Sequence, residues 1–147
     1  MKKAISLLAV PVVLLFAAGP ASAADNETKS WNRFTSTDSR WHCGPTRTLW
    51  SGVQAQSCVI LATDGLSYQG ATIVNTDVPR NMSARTESFE AGVRTWSSVC
   101  EDSLLPAGRS VCFSKTITGH NGNAVQARSQ ILSTADIWTS PTAVLGS

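Results

Sequence analysis

Beyond residue 40 the chain alternates apolar and polar positions with a period of two, the pattern of strands that bury one face. Over residues 48–63, Val53, Ala55, Val59 and Leu61 fall on one side, with Gln54 and Gln56 on the other. Asp64-Gly65 is a turn signal, and a second short strand is expected over 68–76. Asp77-Val78-Pro79 breaks it, since proline cannot donate to a central ladder. A third strand is expected over 87–100, with Phe89, Ala91, Val93 and Val99 alternating against Glu90, Arg94 and Trp96. Residues 101–108, carrying Pro106 and Gly108, read as a loop. Alternation resumes over 109–118, where Val111, Phe113 and Ile117 share a side. Asn121-Gly122 then supplies a turn that accepts positive φ. Residues 125–133 pair back, and 136–145 add an edge strand interrupted at Pro141. Only 129–136 in this region has any helical appeal.

Short strands at frequent turns, with no internal repeat, predict one all-β domain over residues 41–147: an antiparallel, immunoglobulin-like sandwich. Ser and Thr supply 32 of the 124 residues after Ala23. Both weaken helix interiors, and β-branched Thr suits half-exposed strands.

The first residues follow a different pattern. Met1-Lys2-Lys3 is a short basic start, residues 4–18 are almost wholly apolar, and Ala21-Ser22-Ala23 is a small-x-small cleavage signal. The apolar run is interrupted by Pro11 and is shorter than the ~20 residues a membrane helix needs. Residues 1–23 are therefore expected to be a cleaved signal peptide, and the mature protein to be secreted and extracellular, with no membrane attachment. The formal charge of +2 belongs to Lys2 and Lys3. After Ala23 the chain carries 10 basic and 10 acidic residues, scattered along its length. Without a basic stripe to neutralise phosphates, nucleic acid is not an expected partner.

Export makes disulfides the first reading of Cys43, Cys58, Cys100 and Cys112. Four cysteines allow three pairings. Two local loops, 43–58 and 100–112, are the least costly, each bridge contributing about 3 kcal/mol. There is no C-x-x-C, and His42 and His120 are far apart, so no metal and no cofactor is expected. A disulfide at Cys43 would also consume the thiol of a Cys/His pair with His42.

No catalytic constellation is recognisable, and the chain is read as a non-enzyme. A serine triad would need His42 or His120 as base, and neither sits in a signature; G-x-S-x-G does not occur. Glu101 and Asp102, adjacent in sequence, would point to opposite faces of a strand and read as solvated loop charges. Glu87 and Glu90 read as a solvated edge.

Binding fits better. Residues 24–40 form a polar opening, expected to be a flexible N-terminal arm, whose only large apolar residues are Trp31 and Phe34. Such an arm binds as an extended segment, with backbone hydrogen bonds for affinity and side chains for specificity. Trp31, Arg33 and Phe34 are its candidate partner-binding residues, and an aromatic anchor there either folds back or enters a partner. Trp50 and Trp96 read as packing residues, Trp41 as packing on a disulfide, and Trp138 as either. Two further classes remain open. A protease inhibitor would present residues 101–108 with Leu104 or Leu105, and a carbohydrate-binding module would use an exposed Trp or Tyr68.

Trp-His-Cys-Gly-Pro-Thr at 41–46, the Cys43 and Cys58 spacing with Val-Gln-Ala-Gln-Ser-Cys at 53–58, and the later Cys100 and Cys112 resemble small exported actinobacterial proteins with two disulfides and a β-sandwich body. Within that group the chain resembles the adaptor subunits of umbrella toxin particles. The resemblance implies an adaptor that joins a large polymorphic toxin protein to a lectin subunit of trypsin-like fold. It also implies that the N-terminal extension, here residues 24–40, enters the cleft of that lectin subunit. Bacterial subtilisin inhibitors and chromoprotein carriers of enediyne antibiotics share the outline. The former have a more widely spaced second cysteine pair, and the latter have shorter cysteine loops.

Overall fold

A computed structural model describes residues 26–147. The expected signal peptide lies outside the described residues, as do Ala24 and Asp25. The described chain forms thirteen strands. They are β1 (Asn26–Lys29), β2 (Asn32–Arg33), β3 (Trp41–Cys43), β4 (Arg47–Trp50), β5 (Val53–Leu61), β6 (Ser67–Thr76) and β7 (Arg80–Glu90), then β8 (Val93–Leu105), β9 (Gly108–Phe113), β10 (Ile117–Thr118), β11 (Ala124–Ile131), β12 (Ile137–Thr139) and β13 (Ala143–Val144). One sheet runs β1-β8-β7-β11-β12, with β13 also on β11. The other runs β2-β9-β6-β5-β3, with β4 on β5 and β10 on β6. All pairings are antiparallel except β1 with β8. The two sheets pack face to face as a sandwich.

Alternation along the strands decides the inner faces. Val53, Ala55, Ser57 and Val59 of β5 are buried, as are Tyr68, Thr72 and Val74 of β6 and Val125, Ala127, Ser129 and Ile131 of β11. The apolar residues gather at the two ends of the sandwich. One cluster centres on Val53, Val74, Met82, Leu105, Ile131 and Trp138, the other on Val59, Tyr68, Val125 and Leu145. Between them lies a band of hydroxyls, which is where much of the Ser and Thr content goes. The Thr86 and Thr72 hydroxyls are 2.7 Å apart, Thr72 donates to Ser129 at 2.6 Å, and Ser129 donates to Ser57 at 2.8 Å. Ser88 and Ser114 meet at 2.7 Å, and both accept from the Gly70 amide. A Cβ on Gly70 would lie 3.0 Å from the Ser88 hydroxyl and 3.1 Å from a Thr86 methyl, so this band needs a glycine opposite it. Each of these six hydroxyls has a partner within the band, which makes it tolerable in the interior.

Both local disulfides form. Cys43–Cys58 staples neighbouring strands β3 and β5, with Cα atoms 4.0 Å apart. Cys100–Cys112 joins β8 in one sheet to β9 in the other. The second is thus an inter-sheet bridge, not a clasp within a strand pair.

Three sequence expectations are corrected. The strand expected over 87–100 is a hairpin: β7 and β8 meet at Ala91-Gly92, whose φ angles of +48° and +79° place both in the left-handed region of a tight turn. A bulge beside it shifts the register, Ser88 pairing with Trp96 and Phe89 with Arg94. Along β7 the alternation is unbroken, with Met82, Ala84, Thr86, Ser88 and Glu90 buried in turn, so taking the apolar Phe89 as inward assigns Glu90 to the wrong face. Glu87 and Glu90 are buried, not solvated. Glu87 receives Arg94 at 2.9 Å and Arg128 at 2.6 Å. Glu90 accepts from the His120 amide, from Asn123 and, at 3.0 Å, from the His120 ring. Residues 101–108 are likewise not a free loop, because β8 continues to Leu105 and β9 begins at Gly108.

A candidate protein-binding edge

The segment expected as a flexible arm contains two short hydrogen-bonded strands, β1 and β2. Residues 26–29 pair in parallel with Ser97–Cys100 of β8, and Asn32 and Arg33 pair with Val111 and Ser110 of β9. The chain therefore crosses from the edge of one sheet to the edge of the other at Ser30-Trp31. The cause lies in β8, where Ala84 pairs with Cys100 but Met82 pairs with Ser103, so Glu101 and Asp102 stand opposite Ser83 alone. This bulge opens the ladder. The Trp31 indole N–H fills the opening, donating to the Met82 carbonyl at 3.2 Å and the Glu101 carbonyl at 3.1 Å. Its ring packs on the apolar cluster that includes Met82 and Leu105.

Phe34 is fastened as well. Its amide donates to the Arg109 carbonyl, and its ring lies edge-on to Trp41 at 5.6 Å. Trp41 in turn faces Phe113 at 6.0 Å, so these rings cover Ile73 and Val111 on the outer face of β6 and β9. Of the three candidate partner-binding residues, Trp31 and Phe34 contact their own domain and Arg33 is exposed. The other tryptophans divide similarly. Trp138 is buried, Trp50 packs on the same cluster as Trp31, and Trp96 carries Lys115 4.3 Å above its ring. Tyr68 is 0% exposed, its hydroxyl 2.7 Å from that of Thr95, and offers no surface to a sugar.

What the sequence reading misses is the neighbouring edge. β1 ends against Cys100, which leaves Glu101–Leu105 of β8 without a strand on that side among the described residues. Leu105 is buried there, whereas Leu104 is 68% exposed. A cleft of about 380 Å³ lies beside this stretch, with Lys29, Trp31 and Arg33 on one wall and Glu101, Leu104 and Pro106 on the other. Lys29 is engaged by Glu27 at 2.9 Å, but Arg33 takes part in no ion pair among the described residues. An open edge, an exposed leucine and a free guanidinium together can hold an extended peptide that brings an apolar and an acidic side chain. The sequence signal for this edge is Leu104, in a stretch whose Pro106 and Gly108 read as loop.

Elsewhere the titratable groups serve the fold. Asn123, above all, with the His120 amide and ring, holds the Glu90 carboxyl below its usual range against the opposing effect of burial. Burial pushes the Glu87 carboxyl up, but Arg128 and Arg94 together outweigh it and leave the carboxyl lowered. Neither His42 nor His120 hydrogen-bonds a serine or cysteine among the described residues. Among the described residues no group of three or more His, Cys, Asp or Glu side chains is placed to hold a metal ion, and no helix is long and apolar enough to cross a membrane. Comparison of this chain with protein-family models, with curated proteins and with solved structures finds no match.

Proposed function

We propose that this protein is a secreted, non-enzymatic adaptor that binds other secreted proteins, exported through residues 1–23 and acting in an extracellular antibacterial toxin complex. The observation that carries the binding role is the unpaired stretch Glu101–Leu105 beside the N-terminal strands, with Leu104 exposed next to Arg33. A partner strand laid along it would gain main-chain hydrogen bonds and bury Leu104. The N-terminal segment contributes differently from a free tether: β1 and Trp31 shape the cleft. The toxin setting, with a lectin subunit of trypsin-like fold and a large polymorphic toxin protein as partners, rests on the sequence resemblance. The inter-sheet Cys100–Cys112 bridge supports reading the sandwich as immunoglobulin-like.

Purification of the tagged protein from culture fluid at native expression, with mass spectrometry of what co-elutes, tests the reading. A stoichiometric secreted partner is expected. A solitary monomer would overturn the adaptor role. Deleting residues 24–40 is a poor probe, because it also removes the two hydrogen bonds of Trp31; substitutions at Leu104 and Arg33 leave those intact.

A further inference from the structure

The outer face of the second sheet carries a polar groove that the adaptor reading does not use. Gln54 of β5, Asn75 of β6 and Arg109 of β9 are register partners, Gln54 opposite Asn75 and Asn75 opposite Arg109. They form a straight row across three strands, each step about 4.8 Å. The next row places Gln56 beside Ile73, and the Gln56 amide is oriented by donating to the Gly44 carbonyl at 2.7 Å. Phe34 closes one side and Thr46 the other, around a groove of about 130 Å³.

Three properties narrow the ligand. Among the described residues the Gln54, Asn75 and Arg109 side chains make no hydrogen bond or ion pair, although Arg109 lies 5.9 Å over the Phe34 ring. No acidic side chain among the described residues lines the groove, so none there neutralises Arg109. The groove is too small for a peptide of several residues, and its donors and acceptors are side-chain amides on a sheet face, not a strand edge. Amides bind both as donor and acceptor, which suits hydroxyls, and a guanidinium suits a carboxylate through two parallel hydrogen bonds. An aromatic ring beside them offers an apolar wall to the C–H face of a ring. We infer that this groove binds a single acidic sugar residue, its carboxylate on Arg109, its hydroxyls on Gln54 and Asn75, and its ring edge against Phe34.

The test uses the full mature chain labelled with nitrogen-15 and titrated with methyl glucuronide, methyl glucoside or an acidic tripeptide, while the side-chain amide signals of Gln54 and Asn75 are followed. Methyl glucuronide is expected to shift those signals saturably, and methyl glucoside to do so at least about tenfold more weakly for want of the carboxylate. Arg109→Gln should abolish the difference between the two sugars without altering the melting temperature. Equal response to both sugars, tighter binding of the tripeptide, or shifts confined to other residues would each overturn the inference. Because Arg109 lies outside the cleft at Leu104, partner capture and sugar binding fail independently.

Discussion

The Trp31 indole N–H lies 3.1 Å from the carbonyl oxygen of Glu101, 70 residues further along the chain. The same N–H is 3.2 Å from the carbonyl oxygen of Met82, so one donor is shared between two carbonyls that a β-bulge has freed. The tryptophan is thereby a joint between the N-terminal segment and the β7–β8 ladder. Trp31→Phe keeps most of the ring and removes the donor. It should lower unfolding stability by about 1 kcal/mol, the partly exposed site letting water replace some of what is lost. Urea titration followed by the remaining tryptophans measures it; an unchanged midpoint would mean that the two bonds contribute nothing.

Ala91 occupies a left-handed backbone position, φ +48°, that disfavours a residue with a β-carbon. Ala91→Asn creates the Asn-Gly pair that this turn prefers and should stabilise the protein by about 0.5–1 kcal/mol. A thermal melt of the variant beside the parent shows the sign directly.

The hydroxyl band makes a coupled prediction. Thr72→Val removes a hydroxyl that both Thr86 and Ser129 contact; Thr86 keeps the Cys112 carbonyl and Ser129 keeps Ser57, so the cost should be about 1 kcal/mol. Adding Thr86→Val removes the other partner of a Thr72–Thr86 contact already lost, and should cost less than the sum of the two single changes. Strict additivity in a double-mutant cycle would show that the hydroxyls act separately.

Glu87 and Glu90 both have folded-state pKa values below their ordinary 4.5. For carboxyls of that kind the stabilisation is complete above the unfolded pKa and is lost as pH falls through the folded one. Stability should therefore be level near neutrality and decline below about pH 4.5, the onset given by the usual carboxyl range. Glu87→Gln should flatten part of that decline, since Arg94 and Arg128 then face a group that does not titrate. Melting temperatures of parent and variant between neutral pH and strong acid test it, and parallel curves would contradict the assignment.

Much of the fold was legible because it depends on local pattern. The alternation of Val53, Ala55, Val59 and Leu61, the Asp64-Gly65 and Asn121-Gly122 turns, and the two local cysteine pairs each carry their signal within a few residues. What is not legible depends on partners distant in sequence. Glu90 continues the inward row of Met82, Ala84, Thr86 and Ser88, where His120 and Asn123 receive it, while the apolar Phe89 lies on the other face, so hydrophobicity alone places the two the wrong way round. Without a bulge opposite Ser83, Trp31 would have no pair of carbonyls to meet, and nothing near residue 31 announces one. The candidate edge was hidden for the same reason, since an unpaired strand is defined by what fails to lie beside it.

The central claim is that Glu101–Leu105 is the edge a partner occupies. Its most direct test is capture from culture fluid by three purified baits: the parent, Leu104→Asp and Arg33→Glu. All three should melt within a few degrees of one another, because Leu104 and Arg33 are exposed. The parent is expected to retain a secreted protein, Leu104→Asp to lose it, and Arg33→Glu to retain it weakly. Equal capture by the parent and Leu104→Asp would contradict the claim.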